Sequence, residues 1–247
     1  MNEEKFTGKA KTYASSRPSY PDKLIELLYR GYITPDSIVA DVGSGTGIFS
    51  KLLLERGNTV YCVEPNEDMQ KEAEKYLSRY EKCTFVSANA ESTSLPDKSV
   101  DFITAAQSFH WFDREKFASE CKRICKGKPT AALIWNSYDL SADVVKELER
   151  INAQCCPDFK GFAGGSKPEC GVDGFFEKST SFRFPSWHFF DSDAFIHRCC
   201  SSSYTPSPES VRGKNYKKQI TLFFRRHSVN GCLTLPVLTV AHIGEVK

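Results

Sequence analysis

The stretch Asp41-Val-Gly-Ser-Gly-Thr-Gly47 decides the fold, because it sets three glycines between two segments of different periodicity. Residues 37–42 form a short apolar run that predicts a buried strand, and residues 46–56 carry apolar side chains at helical spacing. Glycines at such a junction permit a sharp turn and let a ligand approach the backbone, while the first amides of a helix are free to donate hydrogen bonds. The stretch therefore predicts a strand–turn–helix unit with a ligand at the turn.

The alternation of strand and helix extends on both sides of the glycine-rich turn. Further strands are predicted at residues 58–63, 83–88, 99–106 and 130–135. Helices are predicted from Asp22 to Gly31, from Asn66 to Leu77 and from Asp113 to Cys125. Such short steps are typical of βαβ units, which wind right-handed and cover both faces of a mostly parallel sheet with helices. An α/β fold is thus predicted over residues 36–137.

The chain after residue 137 follows a less regular pattern. Helices are predicted at 142–154 and 216–226, a loop at 157–174, a strand at 182–190, a turn-rich link at 201–208, and one or two strands from Leu233 to Val246 with an interruption at Pro236. No shift in composition marks a second domain. We expect one domain over residues 1–247, with a helical cap at 1–35, a cofactor-binding core at 36–137, and a substrate-side insertion with the last strands at 138–247.

The charge of the chain is nearly balanced, with 33 Lys and Arg against 31 Asp and Glu and a formal net charge of +2. This balance argues against a dedicated nucleic-acid-binding protein, although the basic run from Arg212 to Arg226 keeps a nucleic-acid substrate as a minor alternative. Neither an apolar run of about 18 residues nor an apolar leader is visible, so we expect a cytoplasmic protein without a membrane partner.

Ten cysteines are the unusual feature of the composition. Two adjacent pairs, Cys155-Cys156 and Cys199-Cys200, and the absence of a leader argue against a disulfide framework. No Cys-x-x-Cys motif is present, and Cys121 and Cys125 share a helical face that is better explained by burial than by a metal ion. We therefore expect reduced cysteines and no metal site.

The spacing of the glycines separates two classes of ligand. Gly43 and Gly45 fit the dinucleotide pattern Gly-x-Gly-x-x-Gly, but its third glycine would fall on Ile48. Asp41 would repel a pyrophosphate and suits a ligand with a positive amino group. The missing third glycine and the acidic residue before the turn both favour S-adenosylmethionine over a nicotinamide dinucleotide. Glu64, 17 positions after Gly47, can accept the hydroxyls of a ribose and is compatible with either cofactor.

These residues resemble a known family. The stretch 41–47 together with Glu64 is similar to the first two motifs of the class I S-adenosylmethionine-dependent methyltransferases. Asn89-Ala-Glu91 with Leu95-Pro-Asp97 and Ser99-Val-Asp101 resembles the small-molecule group called type 11, and Gln107-Ser-Phe-His-Trp-Phe112 with Tyr13-Ala-Ser-Ser-Arg-Pro-Ser-Tyr-Pro21 resembles its trans-aconitate methyltransferase-like subgroup. The resemblance implies a Rossmann-like, doubly wound seven-stranded sheet, mostly parallel with an antiparallel C-terminal strand.

The resemblance also implies a role for individual residues around S-adenosylmethionine, whose product is S-adenosylhomocysteine. Each part of the cofactor is assigned its own group of residues: Gly43, Ser44, Gly45 and Gly47 around the methionine part with Asp41 beneath it, Glu64 at the ribose, Pro65, Asn66 and Met69 beside the adenine, Ala90 and Glu91 at its edge, Gln107 at the amino group through its backbone carbonyl, and Tyr13 and Arg17 on a covering segment. Met69 is equally compatible with a plain core position, and Arg17 with a solvated surface position.

The expected acceptor is a small molecule that binds beside the end of the fourth strand. His110 and Trp111 follow that strand, so His110 is a candidate base, and both residues with Arg17 are candidate substrate contacts. A structural His110 beside Trp111 is an equal alternative. A carboxylate acceptor needs no base and suits a guanidinium. The other classes left open are a non-catalytic S-adenosylmethionine-binding protein and a nicotinamide-dependent oxidoreductase, and the expected state is a monomer or homodimer.

Overall fold

One sheet of seven strands organises the computed structural model, which describes residues 19–162, 172–202 and 204–247. Its strands are β1 (Ile38–Val42), β2 (Thr59–Val63), β3 (Cys83–Val86), β4 (Phe102–Ala106), β5 (Thr130–Tyr138), β6 (Phe176–Phe190) and β7 (Leu233–Val246). They lie in the order β3-β2-β1-β4-β5-β7-β6. The first five strands are parallel, whereas β7 is antiparallel to both β5 and β6. The predicted mostly parallel, seven-stranded sheet with an antiparallel C-terminal strand is confirmed.

Seven α-helices connect or follow these strands in the described ranges. They are α1 (Asp22–Gly31), α2 (Ile48–Leu54), α3 (Glu67–Leu77), α4 (Arg114–Ile124), α5 (Asp143–Cys155), α6 (Ser192–Cys200) and α7 (Val211–His227), and a single 3-10 turn covers Phe109–Trp111. The predicted caps are present, since the backbone amide of Met69 donates to Asn66 Oδ1 at 3.0 Å and that of Lys116 to Asp113 Oδ1 at 3.3 Å. These two helices therefore begin at the capping residues predicted from the sequence.

The sheet buries apolar side chains on both faces. On one face α4 places Phe117, Cys121 and Ile124 in a cluster with Trp135. On the other face α1 and α2 pack against Val39, Val60 and Ile134 through apolar positions that recur at helical spacing: Leu24, Ile25, Leu28, Phe49 and Leu53. Helices thus cover both faces, as predicted for a doubly wound sheet.

A third apolar cluster joins α5, α6 and α7 over the ends of β6 and β7. Phe195 of α6 stacks on Phe223 of α7 with ring centroids 5.7 Å apart. The buried hydroxyl of Tyr216 on α7 donates to Asn152 Oδ1 on α5 at 2.5 Å, which satisfies both groups in the apolar interior. These three helices form a layer of their own beside the carboxyl end of β5.

The C-terminal half differs from the sequence prediction at two places. Helix α6 was not predicted, and β7 continues through Pro236 instead of breaking there. Pro236 lies beyond the last paired residue of β5, because Tyr138 pairs with Val237, so the missing amide of Pro236 costs no bond to β5. Strand β6 also begins six residues before the predicted start, and α7 begins five residues early.

Two segments predicted from the sequence extend beyond the described residues. The expected cap at 1–35 and the expected loop at 157–174 lie partly outside the described residues, which begin at residue 19 and omit 163–171. No helix in the described ranges is long and apolar enough to cross a membrane. The nine cysteines of these ranges are free thiols. Cys121 and Cys125 lie in the core, where burial raises the pKa of Cys125 to about 11.

Candidate active site

A cavity of about 360 Å³ opens at the carboxyl ends of β1, β2 and β4. The strand order reverses between β1 and β4, which is where doubly wound sheets bind their ligands, and the volume falls in the usual range for small molecules. Twelve of the sequence-predicted site residues line it: Asp41, Gly43, Ser44, Gly45, Glu64, Pro65, Asn66, Met69, Ala90, Glu91, Gln107 and Trp111.

The glycine-rich turn is tied to its neighbours so closely that Gly43 has no room for a side chain. The backbone amides of Gly43 and Ser44 donate to the carbonyl of Val63 at 2.8 and 3.1 Å. Gly43 has φ +68°, and a β-carbon there would lie 2.4 Å from Ser108 Cβ. The Ser108 hydroxyl in turn donates to the Val42 carbonyl at 2.8 Å. A glycine is therefore required where the turn meets the segment after β4.

The next two residues of the turn face the cavity and fit a bound ligand. Gly45 has φ +56°, yet a β-carbon at that position would meet no atom within 4 Å, so it would project into open space. The hydroxyl oxygen of Ser44 is buried and has no hydrogen-bond partner among the residues that the structure describes. A buried hydroxyl without a partner beside an open cradle is what a polar ligand group would complete.

Asp41 lies at the floor of the cavity and is only 1% exposed. Its carboxylate accepts hydrogen bonds from the Ser50 hydroxyl at 2.5 Å and the Thr104 hydroxyl at 2.8 Å. Burial raises the pKa of Asp41 to about 6 against the opposing effect of these two hydrogen bonds. A cationic ligand group in the cavity would stabilise the charged form and lower this pKa again.

Glu64 connects the end of β2 to the glycine-rich turn. Its Oε2 accepts from the amide of Gly45 at 2.9 Å, and its Oε1 accepts from the amide of Asn66 at 2.9 Å. The two amides orient the carboxylate at the wall of the cavity, and carboxylate oxygens are acceptors that suit the hydroxyls of a ligand.

Gln107 has a left-handed backbone at the end of β4, with φ +62°. Its backbone amide donates to the carbonyl of Ile134 at 2.8 Å and its side-chain Nε2 to the carbonyl of Asn136 at 2.7 Å. Both donors are therefore hydrogen-bonded to β5. Only the remaining polar atoms of Gln107 are available to a ligand. A non-glycine residue held in this conformation carries strain, which is common at functional sites.

Four predicted residues are placed differently or fall outside the description. Gly47 is the N-cap of α2, and a β-carbon there would lie 2.6 Å from Leu77 Cδ1, so its glycine serves the packing of α3 and not the lining of the cavity. His110 is exposed and does not join Trp111 in the lining, although their ring centroids are 4.7 Å apart. Tyr13 and Arg17 lie outside the described residues.

Eight lining residues were not singled out from the sequence: Tyr20, Thr46, Ile48, Phe49, Asn89, Ala106, Ser108 and Phe112. Most of them neighbour a predicted site residue, so the rule that ligands bind beyond the carboxyl ends of parallel strands could have found them. Tyr20 is the exception, because it enters through the segment before α1 and sets its ring 5.0 Å from that of Phe49.

Comparison with known proteins identifies relatives of this chain. Residues 40–132 match a family model described as a methyltransferase domain. An uncharacterized methyltransferase of Mycobacterium tuberculosis is 28% identical over 232 residues, which cover 92% of this chain and 90% of that protein. A malonyl-[acyl-carrier protein] O-methyltransferase of Bacteroides thetaiotaomicron is 32% identical over 127 residues, 49% of this chain and 48% of that protein.

A solved structure supports the fold independently. A protein of Anaeromyxobacter dehalogenans, provisionally assigned as a type II methyltransferase, superposes with a TM-score of 0.69 at 22% identity and covers 93% of this chain and 97% of its own. The narrower resemblance to trans-aconitate methyltransferase-like proteins stays a prediction. The residues matched by the methyltransferase-domain model contain the glycine-rich turn and strands β2 to β4, so the part of this chain that is similar to methyltransferases is the part that forms the cavity.

Proposed function

We propose that the protein transfers a methyl group from S-adenosylmethionine to a small-molecule acceptor, with a carboxylic acid as the acceptor class. The charge of the cavity carries the cofactor part of this proposal. Its described lining contains three acidic side chains, Asp41, Glu64 and Glu91, and no lysine, arginine or histidine. An acidic cavity attracts a cofactor that carries a sulfonium and an ammonium group, and it repels the pyrophosphate of a dinucleotide.

In this proposal each part of the cofactor has its own partners. Asp41, Ser44 and Gly45 hold the methionine part, and Glu64 holds the ribose. Pro65, Asn66 and the buried Met69 flank the adenine, while Ala90 and Glu91 lie at its edge; Gly43 and Gln107 shape the cavity between them. Tyr13 and Arg17, on the segment before the described residues, are proposed to cover the cofactor and to contact the acceptor.

When bound, the cofactor supplies a methyl group that its sulfonium makes electrophilic. The residues of the chain orient both reactants and exclude water. Trp111 and Phe112, which follow the end of β4, add aromatic surface to the cavity lining. A carboxylate acceptor is already charged at neutral pH and needs no base, which agrees with the position of His110 outside the lining. The O-methyltransferase relative from Bacteroides thetaiotaomicron supports an oxygen acceptor.

Calorimetric titration with S-adenosylhomocysteine and with NADH tests the cofactor. We expect S-adenosylhomocysteine to bind the wild type and NADH not to bind. In Asp41→Asn the affinity should fall about tenfold or more, because a lost charge contact costs on the order of 1–2 kcal/mol. The exposed Asp143→Asn is the matched control and should bind like the wild type. Binding of NADH, or an unchanged affinity in Asp41→Asn, would contradict the assignment.

Transfer of labelled methyl groups to a panel of carboxylic acids tests the reaction itself. We expect a product that alkali hydrolyses, since methyl esters are labile to base and N- or C-methyl groups are not. Cofactor binding without transfer to any acceptor of the panel would instead favour a non-catalytic S-adenosylmethionine-binding protein.

A further inference from the structure

Within the described residues, Arg198 on α6 has no counter-charge. The residue is half-buried, its Nε is buried without a hydrogen-bond partner, and no ion pair among these residues joins its guanidinium to a carboxylate. Guanidinium groups away from water are normally paired, because an unpaired buried charge is costly. The position therefore suits an anion, which the described residues do not provide.

The groups around Arg198 are uncharged at neutral pH. The guanidinium of Arg198 donates a hydrogen bond to the hydroxyl of Tyr138 and lies near the hydroxyl of Tyr204 and the thiol of Cys199. Burial raises the pKa of Cys199 to about 12, so this thiol stays protonated. The imidazole of His188 is a further neighbour, whose Nδ1 is also buried without a partner. Burial, together with the charge of Arg198, lowers the pKa of His188 to about 3, so this ring is neutral. All of these groups can donate or accept a hydrogen bond, and none neutralises the guanidinium.

A chain of aromatic rings borders the same place. Tyr138 contacts Phe162 with ring centroids 4.7 Å apart, Phe162 contacts Phe159 at 5.2 Å, and Phe159 contacts Tyr204 at 4.8 Å. All four rings are half-buried, so part of each remains accessible. We call these four residues the aromatic cluster. A ligand that brings an anion to Arg198 would meet an apolar surface beside it.

This arrangement lies at the same edge of the sheet as the cofactor cavity. Because β7 is antiparallel to both β5 and β6, the carboxyl ends of β5 and β6 lie together and next to that of β4. The side chain of Gln107, in the cavity lining, is bonded to the carbonyl of Asn136 on β5, and Tyr138 is two residues further along. Gln107 of the cavity lining and Tyr138, which neighbours Arg198, are thus connected through the end of β5.

We propose that Arg198 is a specificity-determining residue that binds a carboxylate of the methyl acceptor, while the aromatic cluster receives the apolar body of the same molecule. The inference rests on the proposed function, since it takes the ligand to be the acceptor. It narrows the substrate class to carboxylic acids with an apolar or aromatic body. A guanidinium suits this role because it can bind both carboxylate oxygens at once.

The test uses the full chain saturated with S-adenosylhomocysteine and two probes of equal shape, 3-phenylpropionate and 3-phenylpropionamide. We expect calorimetry to give a binding constant for the carboxylate about tenfold or more tighter than for the amide, since a charge-assisted bond is the difference between them. This preference should vanish in Arg198→Gln and return in part in Arg198→Lys. The control Arg212→Gln, at an exposed arginine of α7, should behave like the wild type.

Three outcomes would overturn the proposal. The amide could bind as tightly as the carboxylate, Arg198→Gln could keep the preference, or inorganic phosphate could bind as tightly as 3-phenylpropionate, which would indicate a plain anion site. Unfolding of both Arg198→Gln and Arg198→Lys, seen by circular dichroism, would show a structural arginine and would also overturn it. Titration of each variant with S-adenosylhomocysteine is separate, so failure of the wild type to bind it refutes the proposed function alone.

Discussion

Gly43 and Gly45 have similar left-handed backbones but opposite surroundings. At Gly43 the space for a side chain is filled by Ser108, whereas at Gly45 it is open to the cavity. The first glycine therefore belongs to the packing between the turn and the segment after β4, and the second belongs to the ligand. The motif thus contains two glycines for different reasons, one for packing and the other for access of the ligand.

Substitution of each glycine by alanine should distinguish an effect on stability from an effect on ligand binding. Gly43→Ala combines an unfavourable φ with a β-carbon 2.4 Å from Ser108 Cβ, so we expect the free energy of unfolding to fall by about 3 kcal/mol. Gly45→Ala carries only the strain, about 1 kcal/mol, but its methyl group should weaken S-adenosylhomocysteine by about tenfold. Urea denaturation and calorimetry measure the two effects. Equal loss of stability in the two variants would show that the open space beside Gly45 is filled in solution.

At the scale of elements, α6 is the helix on which the acceptor proposal depends, and its start is held by one side chain. The Asp191 carboxylate accepts from the amide of Ala194 at 2.8 Å as an N-cap. The helix is nine residues long and buries only Phe195 and Cys199, so its cap is a sizeable part of its stability. Helix α6 directly follows β6, and its position relative to Tyr138 therefore depends on this first turn.

Removal of the cap should loosen α6 measurably. We expect Asp191→Ala to lower the free energy of unfolding by about 1 kcal/mol, while Asp191→Asn, which keeps the acceptor oxygen, loses much less. Asp193→Ala removes an acid from the same first turn without removing a cap and is the matched control. Urea denaturation of the three variants decides the point. If Asp193→Ala costs as much as Asp191→Ala, the charge of the first turn and not the cap stabilises the helix.

Elements with a strong local pattern could be predicted from the sequence, and weakly patterned ones could not. Strands β1 to β5 and helices α1 to α5 follow from apolar runs, helical spacing and caps such as Asn66. Helix α6 has too few buried positions to show a period, and the path of β7 through Pro236 depends on where β5 ends. At the site, the residues beyond each strand were predictable, but spacing alone could not separate Gly45, beside the cavity, from Gly47, against Leu77.

At the scale of the whole molecule, charge is distributed unevenly along the carboxyl edge of the sheet. The described cavity lining beyond β1, β2 and β4 is acidic, whereas beyond β5 and β6 the half-buried cation Arg198 lies among neutral groups. A cationic cofactor and an anionic acceptor would each complete one of these sites. Within the described residues, neither the buried Asp41 nor the half-buried Arg198 has a partner of opposite sign, so we expect the fold to be less stable than its apolar packing alone would allow.

The pH dependence of stability should reveal the cost at Asp41. Its pKa of about 6 in the folded protein lies above the ordinary value of 3.8, so the folded state binds more protons than the unfolded chain between these values. Stability contributed by this group is therefore present below about pH 4 and is lost as pH rises through 6, a change of about 3 kcal/mol.

The variant Asp41→Asn tests this dependence, because its side-chain amide does not ionise and so loses no stability as pH rises. We expect urea denaturation to give a difference in unfolding free energy, variant minus wild type, that rises by about 2–3 kcal/mol from pH 4 to pH 7. The exposed Asp143→Asn controls for the loss of one carboxylate as such. A flat difference for Asp41→Asn would mean that Asp41 is ionised without cost. Saturating S-adenosylhomocysteine should reverse the order at pH 7, because its ammonium group favours the charged carboxylate that the variant lacks.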